Sequence, residues 1–166
     1  RCGWLAILQG DTEAARTILL EAIDTARAAQ ARMPEASAML AMGFVELQRG
    51  DHGSAISWTT RSLEQFRSLV DVAYEAAPFT TLALDHLAQI HINVGDVHTA
   101  APYIDQALEI QHELGFRWGL GDGLRLLGHV ESRLGNYEQA RQHYRESLKL
   151  GWSFRDLRMI SEAMAG

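Results

Sequence analysis

The chain repeats one two-residue turn signal at four points, spaced 40, 45 and 40 residues apart: Gly10-Asp11, Gly50-Asp51, Gly95-Asp96 and Gly135-Asn136. An alanine follows each glycine by five residues, at Ala15, Ala55, Ala100 and Ala140. A small residue precedes each glycine by seven, at Gly3, Gly43, Ala88 and Gly128. A fixed period of this size is typical of one supersecondary unit used several times. Because small residues on both sides of a turn let two helices pack closely, the pattern predicts an all-α solenoid of helical hairpins.

Glycine followed by aspartate is a signal that ends one helix and starts the next. Glycine adopts the left-handed conformation at the end of a helix without a Cβ clash, and the following Asp or Asn can accept an N–H of the next helix. The predicted helices cover residues 12–29, 35–49, 52–69, 79–94, 98–114, 120–134 and 137–150. Pro34 fits the first position of the second helix. Pro102 conflicts with the fifth helix, which therefore either starts late, near Ala101, or is kinked.

The composition is that of a helix-rich globular protein, with 47% hydrophobic and 22% charged residues. The net charge of -6 argues against nucleic acid as a direct partner, and against a DNA-binding helix-turn-helix at residues 87–104. Cys2 is the only cysteine, which excludes an internal disulfide and favours a reducing, cytoplasmic location. No apolar run approaches the roughly 20 residues of a membrane span, so no membrane contact is expected.

Both ends of the sequence fit incomplete repeats. The residues after Arg1 match the end of a repeat's first helix, and residues 154–166 match the start of another. We therefore expect one repeat domain over residues 1–166, with about four units, that belongs to a longer protein. The last unit would expose Leu157, Ile160 and Met164, and uncapped solenoids tend to associate, so self-association is expected.

The small, glycine and alanine positions resemble those of the tetratricopeptide repeat. The fourth unit fits best, at Leu127, Gly128, Gly135, Tyr137, Ala140, Tyr144, Ser147 and Leu148. The long periods, and linkers such as residues 113–119, are similar to repeats of large bacterial regulators, namely ATP-dependent LuxR-type activators of the maltose-activator kind and relatives with cyclase or kinase domains. The resemblance implies a right-handed solenoid that senses an inducer or a partner protein within a signalling or transcription regulator.

The sequence offers no catalytic or cofactor motif. Gly119, Gly121 and Gly123 look like a phosphate loop, but no strand is predicted before them and no Lys-Ser/Thr pair follows. We interpret them as an inter-repeat turn with a weak helix start. His86 and His91 are five residues apart and so do not share a helix face, and no metal-binding Cys–His cluster is present. We expect no enzymatic activity, no cofactor and no metal.

The first helices of stacked hairpins line the concave surface, which is the usual binding face of such solenoids. The groove positions transferred from the family are Phe44, Leu47, Gln48, Asp85, Gln89, Asn93, Arg125, His129 and Arg133. The apolar members would accept an apolar side chain, the amides a peptide backbone, and the arginines an acidic terminus. The alternative is a solvated helix face on which the arginines pair with Asp122 or Glu131.

The leading prediction for function is a non-catalytic module that binds a protein or peptide ligand. The alternative is a small-molecule effector, such as an inducer, bound in the same groove. A peptide requires a long open groove, whereas a small molecule favours a closed and mostly apolar pocket.

Overall fold

The computed structural model describes residues 11–69, 72–154, 161 and 163–164. Within these ranges the chain forms seven helices and no strand, which confirms the all-α prediction. The helices are α1 (Thr12–Ala28), α2 (Arg32–Gln48), α3 (His52–Arg67), α4 (Ala73–Asn93), α5 (Val97–Glu113), α6 (Arg117–Arg133) and α7 (Tyr137–Phe154). Most predicted ends agree within three residues, but α4 begins six residues earlier and α7 ends four residues later than expected.

The prolines are placed differently from the prediction. Pro34 is the third residue of α2 and not the first, although it still lies in the first turn, where backbone N–H groups have no partner within the helix. Pro102 lies inside α5, which begins at Val97, so the predicted late start is wrong. Pro78 lies inside α4, which begins at Ala73 and not at residue 79. At the sixth position of a helix a proline removes only one early hydrogen bond.

The glycine turns are confirmed. Gly50, Gly95 and Gly135 have φ angles of 79°, 85° and 84°. The same backbone turn occurs at Gly115 and Gln30, with φ angles of 67° and 54°. In each case the residue after the turn donates its N–H to a carbonyl five residues earlier, as Asp96 does to His91 at 2.9 Å. Gly10 lies outside the described residues.

The predicted aspartate caps are also present. The carboxylates of Asp11, Asp51 and Asp96 accept backbone N–H groups three residues later at 3.0, 2.9 and 3.1 Å. The hydrogen bonds from Ser54 and Thr99 lower the pKa of Asp51 and Asp96, respectively. Asn136 differs, because its side-chain amide donates to Glu131 at 2.7 Å.

The chain divides into two compact units, Arg1–His86 and Leu87–Gly166, and α4 contributes residues to both. In the first unit, α2 packs against α1 and α3. Its core includes Leu19, Ile23, Met42 and Val45. At Gly43 the contact between α2 and α3 is so close that an added Cβ would lie 2.2 Å from Thr59 Oγ1.

In the second unit, α6 packs against α5 and α7. Its core contains residues of α4, α5 and α6: Ala88, Ile92, Val97, Ala100, Ile104, Leu126 and Val130. Gly128 faces the ring of Tyr144, to which an added Cβ would approach within 2.5 Å. The predicted role of the small positions in close helix packing is therefore confirmed in both units.

The glycine-rich segment that we interpreted as an inter-repeat turn is helical. Gly119, Gly121 and Gly123 lie within α6, and the turn occurs earlier, at Gly115. Added Cβ atoms at Gly119 and Gly123 would lie 2.8 and 2.6 Å from side-chain atoms of Gln111 and Leu108. These glycines therefore allow α5 and α6 to pack closely, which explains their presence in a helix.

Candidate ligand-binding surfaces

The nine predicted groove residues fall in both units. Phe44, Leu47, Gln48 and Asp85 belong to the first unit, and Gln89, Asn93, Arg125, His129 and Arg133 to the second.

In the second unit, polar side chains from α4 and α6 form a connected row. Gln89 Nε2 donates to Asn93 Oδ1 at 2.8 Å, one turn along α4. Arg125 Nη1 on α6 donates to Gln89 Oε1 at 3.4 Å, and Arg125 Nε lies 3.6 Å from Asp122 Oδ1. The structure thus brings Gln89, Asn93 and Arg125 together. Arg125 also pairs with Asp122, as in the alternative interpretation, but the two side chains are only 12% and 13% exposed and do not form a solvated face.

His129 occupies the next turn of α6 and contacts α7. Its Nδ1 lies 3.0 Å from the hydroxyl oxygen of Tyr144, and the two rings meet edge to face with centroids 5.4 Å apart. Burial raises the pKa of Tyr144, while the nearby Arg125 charge opposes that shift. Tyr144 of α7 therefore contacts the row at His129, although the groove prediction did not include it.

The row ends at Arg133, which is exposed and lies one turn beyond His129 on α6. We name Gln89, Asn93, Arg125, His129 and Arg133 the α4–α6 surface. It offers amide donors and acceptors, an imidazole and two guanidinium groups. Such groups hydrogen-bond a peptide backbone and a carboxylate.

In the first unit, Phe44 packs on a buried histidine. The rings of Phe44 and His86 have centroids 3.7 Å apart, and His86 is only 4% exposed. Thr59 Oγ1 donates to the carbonyl of Ala55 at 2.8 Å and lies 3.1 Å from His86 Nδ1. Since the Thr59 hydroxyl has one hydrogen, His86 Nδ1 is the donor in the second bond. Burial lowers the pKa of His86 to about 3, so the imidazole is neutral.

The other predicted residues of the first unit vary in exposure. Leu47 and Asp85 are half-buried, and Gln48 is exposed. Next to Leu47, the carboxylate of Glu46 pairs with Arg16 at 3.0 Å and with Arg49 at 3.2 Å. This end of α2 is therefore linked to α1 by ion pairs.

The described residues show neither a membrane helix nor a metal-type cluster. None of the helices in residues 11–69 and 72–154 combines the length and apolar character needed to cross a bilayer. Over the same part of the chain, no three His, Cys, Asp or Glu side chains converge as metal ligands would.

Comparison with known proteins identifies the repeat. Residues 79–151 match the family model of the tetratricopeptide repeat. The crystal structure of the apo form of RapI matches with a TM-score of 0.77 and 16% identity, over 98% of this chain and 46% of that one. BtubC (BKLC) from P. vanneervenii matches with a TM-score of 0.67 and 17% identity, over 93% of this chain and 72% of that one. No curated protein sequence matches the chain.

These matches agree with the sequence prediction of the repeat type. Residues 79–151 are similar to the tetratricopeptide repeat, and the fold of the chain is that of tetratricopeptide-like helical solenoids. It spans less than half the length of RapI.

Proposed function

We propose that the chain is a non-catalytic protein-interaction module, and that the α4–α6 surface of its second unit binds a peptide with an acidic end. The observation that carries the proposal is the row Asn93–Gln89–Arg125, which joins two successive first helices of the repeats through side-chain hydrogen bonds. Repeat solenoids use their extended surfaces in this way.

The row is held in place before a ligand arrives. Gln89 is bonded to both Asn93 and Arg125, and Arg125 is also held by Asp122. Side chains that are already ordered lose less conformational entropy when a ligand binds. The surface therefore suits a peptide backbone that exchanges hydrogen bonds with the amides.

The charge of the ligand follows from the arginines. Asp122 partly neutralises Arg125, so the exposed Arg133 supplies the more accessible positive charge at the end of the row. His129 lies between the two arginines along α6. A carboxylate at the end of a peptide, or in an acidic side chain, is the matching group.

The proposal is tested by a pair of double variants. An array of peptides that end in Asp or Glu is first screened for binding, with amidated versions that end in lysine as references. We expect R125A/R133A to weaken binding of the selected peptide about tenfold or more. The control R61A/R67A removes the same charge from α3 in the first unit and should leave the affinity unchanged. Equal affinities of the two double variants would contradict the proposal.

We further propose that the module belongs to a cytoplasmic bacterial signalling or transcription regulator, as the repeat resemblance implies. The long repeat period supports this assignment. The test is the sequence of the full-length parent, which should contain an ATPase, cyclase, kinase or DNA-binding domain beside the repeats. A parent without any of these would contradict the assignment.

A further inference from the structure

A cleft of about 590 Å³ lies in the first unit, where side chains of α1, α2 and α3 meet. One arginine from each helix lines it: Arg27 of α1, Arg32 of α2 and Arg61 of α3. We name it the arginine cleft. It is separate from the α4–α6 surface, which belongs to the second unit. Guanidinium groups that converge on one cleft from three helices are suited to bind an anion.

Two of the three arginines are not neutralised by a carboxylate. Arg27 Nε pairs with Glu35 Oε1 at 3.0 Å. By contrast, Arg32 donates from Nη2 to the hydroxyl oxygen of Ser68, and the guanidinium of Arg61 lies 4.7 Å from the ring centroid of Trp58. Neither of these two arginines forms an ion pair with any residue in the part of the chain that the structure describes. Their positive charge is therefore available to a ligand.

The other polar groups beside these arginines are already bonded within the cleft. Gln65 Nε2 donates to the carbonyl of Arg32 at 2.7 Å and to Glu35 Oε2 at 3.1 Å. The hydroxyl of Ser68 donates to the carbonyl of Gln65 at 2.6 Å. The remaining N–H groups of Arg32 and Arg61 are consequently the donors that a ligand can use. Because neighbouring groups hold both side chains, little conformational entropy is lost on binding.

The packing of the hairpin does not require this pair of arginines. In the hairpin of α6 and α7, corresponding residues lie 85 positions later, which is the spacing of the two turn glycines. There Arg117 corresponds to Arg32, but Glu146 corresponds to Arg61. Since both hairpins have the same fold, the second positive charge is a property of the first unit alone, and this favours a role in binding.

We propose that the arginine cleft binds a phosphate group through Arg32 and Arg61. A phosphate monoester carries about two negative charges and three strong acceptor oxygens, and the planar guanidinium group binds it with paired hydrogen bonds. The volume of the cleft leaves room for the organic group that carries the phosphate. A phosphorylated side chain of a partner and a small phosphate ester present the same group. This proposal does not depend on the proposed function of the α4–α6 surface.

The test is a chemical-shift titration of the isotope-labelled chain at low ionic strength, in which the Nε–H signals of the arginines are followed. The probes are inorganic phosphate and a capped alanine peptide with a central phosphoserine. The same peptide with serine or glutamate at the centre is the reference. We expect saturable shifts at Arg32 and Arg61 with both phosphate probes, no binding of the serine peptide, and about tenfold weaker binding of the glutamate peptide.

Single variants identify the groups that bind. We expect R61A and R32A each to weaken binding of the phosphoserine peptide about tenfold. R67A is the matched control, because Arg67 is an exposed arginine of α3 that does not line the cleft. E64Q should instead strengthen binding, since the exposed Glu64 lines the cleft and repels an anion. Far-UV circular dichroism checks that each variant is folded.

The two phosphate probes distinguish the sources of the group. Equal affinity for inorganic phosphate and the phosphoserine peptide would support the proposal and favour a small phosphate ester, whereas tighter binding of the peptide would support it and favour a phosphorylated partner. The proposal is overturned if neither probe binds, if R61A and R67A bind the phosphoserine peptide equally well, or if the glutamate peptide binds as tightly as the phosphoserine peptide.

Discussion

The buried His86 of the first unit restricts which side chains can be accommodated around it. His86 lies against Phe44 and donates to Thr59, which in turn donates to Ala55. A larger residue at position 43 would collide with the Thr59 hydroxyl. The glycine, the threonine and the histidine therefore form one packing unit across three helices.

The neutral state of His86 predicts a pH-dependent stability. Its pKa is about 3 in the folded chain against 6.5 for an ordinary histidine. Between these values the unfolded chain binds more protons, so stability falls as the pH drops from 6.5 towards 3, by up to about 1.4 kcal/mol per pH unit. Above pH 6.5 the contribution no longer changes.

Urea unfolding of the original chain and of H86Q at pH 7.5, 6 and 5 measures this contribution. Glutamine can still donate to Thr59 but does not titrate in this range. The free energy of unfolding should therefore fall less steeply with acid in H86Q. Parallel pH profiles would show that His86 is not buried and neutral.

The close approach at Gly43 predicts a second effect. We expect G43A to lower the free energy of unfolding by about 1–3 kcal/mol, because the added methyl group overpacks the contact between α2 and α3. Thr59 Oγ1 cannot move away without losing its bonds to Ala55 and His86.

G53A is the control for G43A, since an added Cβ at Gly53 would lie 3.6 Å from Asp51 Oδ1, which is an ordinary van der Waals contact. It should be neutral or stabilise the chain by up to about 1 kcal/mol, as expected for glycine to alanine in a helix. Urea unfolding measures both variants. Equal effects of the two would contradict the packing argument.

The sequence predicts which small residues allow close helix packing, but it does not predict which side chains pack or hydrogen-bond there. A small residue precedes each turn glycine by seven positions, as Gly43 precedes Gly50, so the role of Gly43 in close packing is predictable. The bond between Thr59 and His86 joins residues 27 positions apart on different helices, and the bond between His129 and Tyr144 likewise crosses helices. Neither bond follows a local spacing rule, because each depends on how the hairpins pack.

At the scale of helices, the glycine turns define where each hairpin reverses. Gly50, Gly95 and Gly135 adopt positive φ angles and leave open space where a Cβ would be. A substitution there is consequently a test of backbone conformation alone, with no contribution from side-chain clashes.

We predict that G95V destabilises the chain by about 1–2 kcal/mol or more, because a β-branched residue is strained at a φ of 85°. G95N should cost less, since asparagine tolerates this region. Thermal unfolding of both variants measures the difference. A melting temperature of G95V within a degree of the original would contradict the turn assignment.

Two turns that the sequence did not predict, at Gln30 and Gly115, are not followed by an Asp or Asn that could cap the next helix. Gly115 is followed by Phe116, which cannot cap α6 with a side-chain oxygen, and Gln30 is not a glycine at all. The start of α4 lies six residues before the predicted one, and the helix continues through Pro78. A side-chain cap can be predicted from neighbouring residues in the sequence, whereas these two turns depend on the packing of the helices that they join.

At the scale of the whole chain, the spacing of 40 to 45 residues between the turn glycines is a guide to equivalent positions. Ser62 donates to the carbonyl of Ala36 at 2.7 Å in the first unit, and Ser147 donates to that of Gly121 at 2.7 Å in the second. In both cases the serine lies on the second helix of a hairpin and the acceptor on the first. The repeated bond shows that the two units share one packing scheme, which the sequence period predicts.

The candidate site follows from the period only in part. Transfer of groove positions from the family selects Gln89, Asn93 and Arg125, which the structure joins by hydrogen bonds. The sequence offers the pairing of an arginine with Asp122 only as an alternative to ligand binding, and it does not show that Arg125 is the arginine that pairs. That division of charge depends on side-chain conformations within α6.

The most direct test of the central claim is an amide chemical-shift titration of the isotope-labelled chain with the acidic-ended peptide selected by the array. We predict that the largest shift changes lie at Gln89, Asn93, His129 and Arg133, and that they are lost with an amidated peptide that ends in lysine. Shift changes confined to other parts of the chain, or equal changes with both peptides, would contradict it.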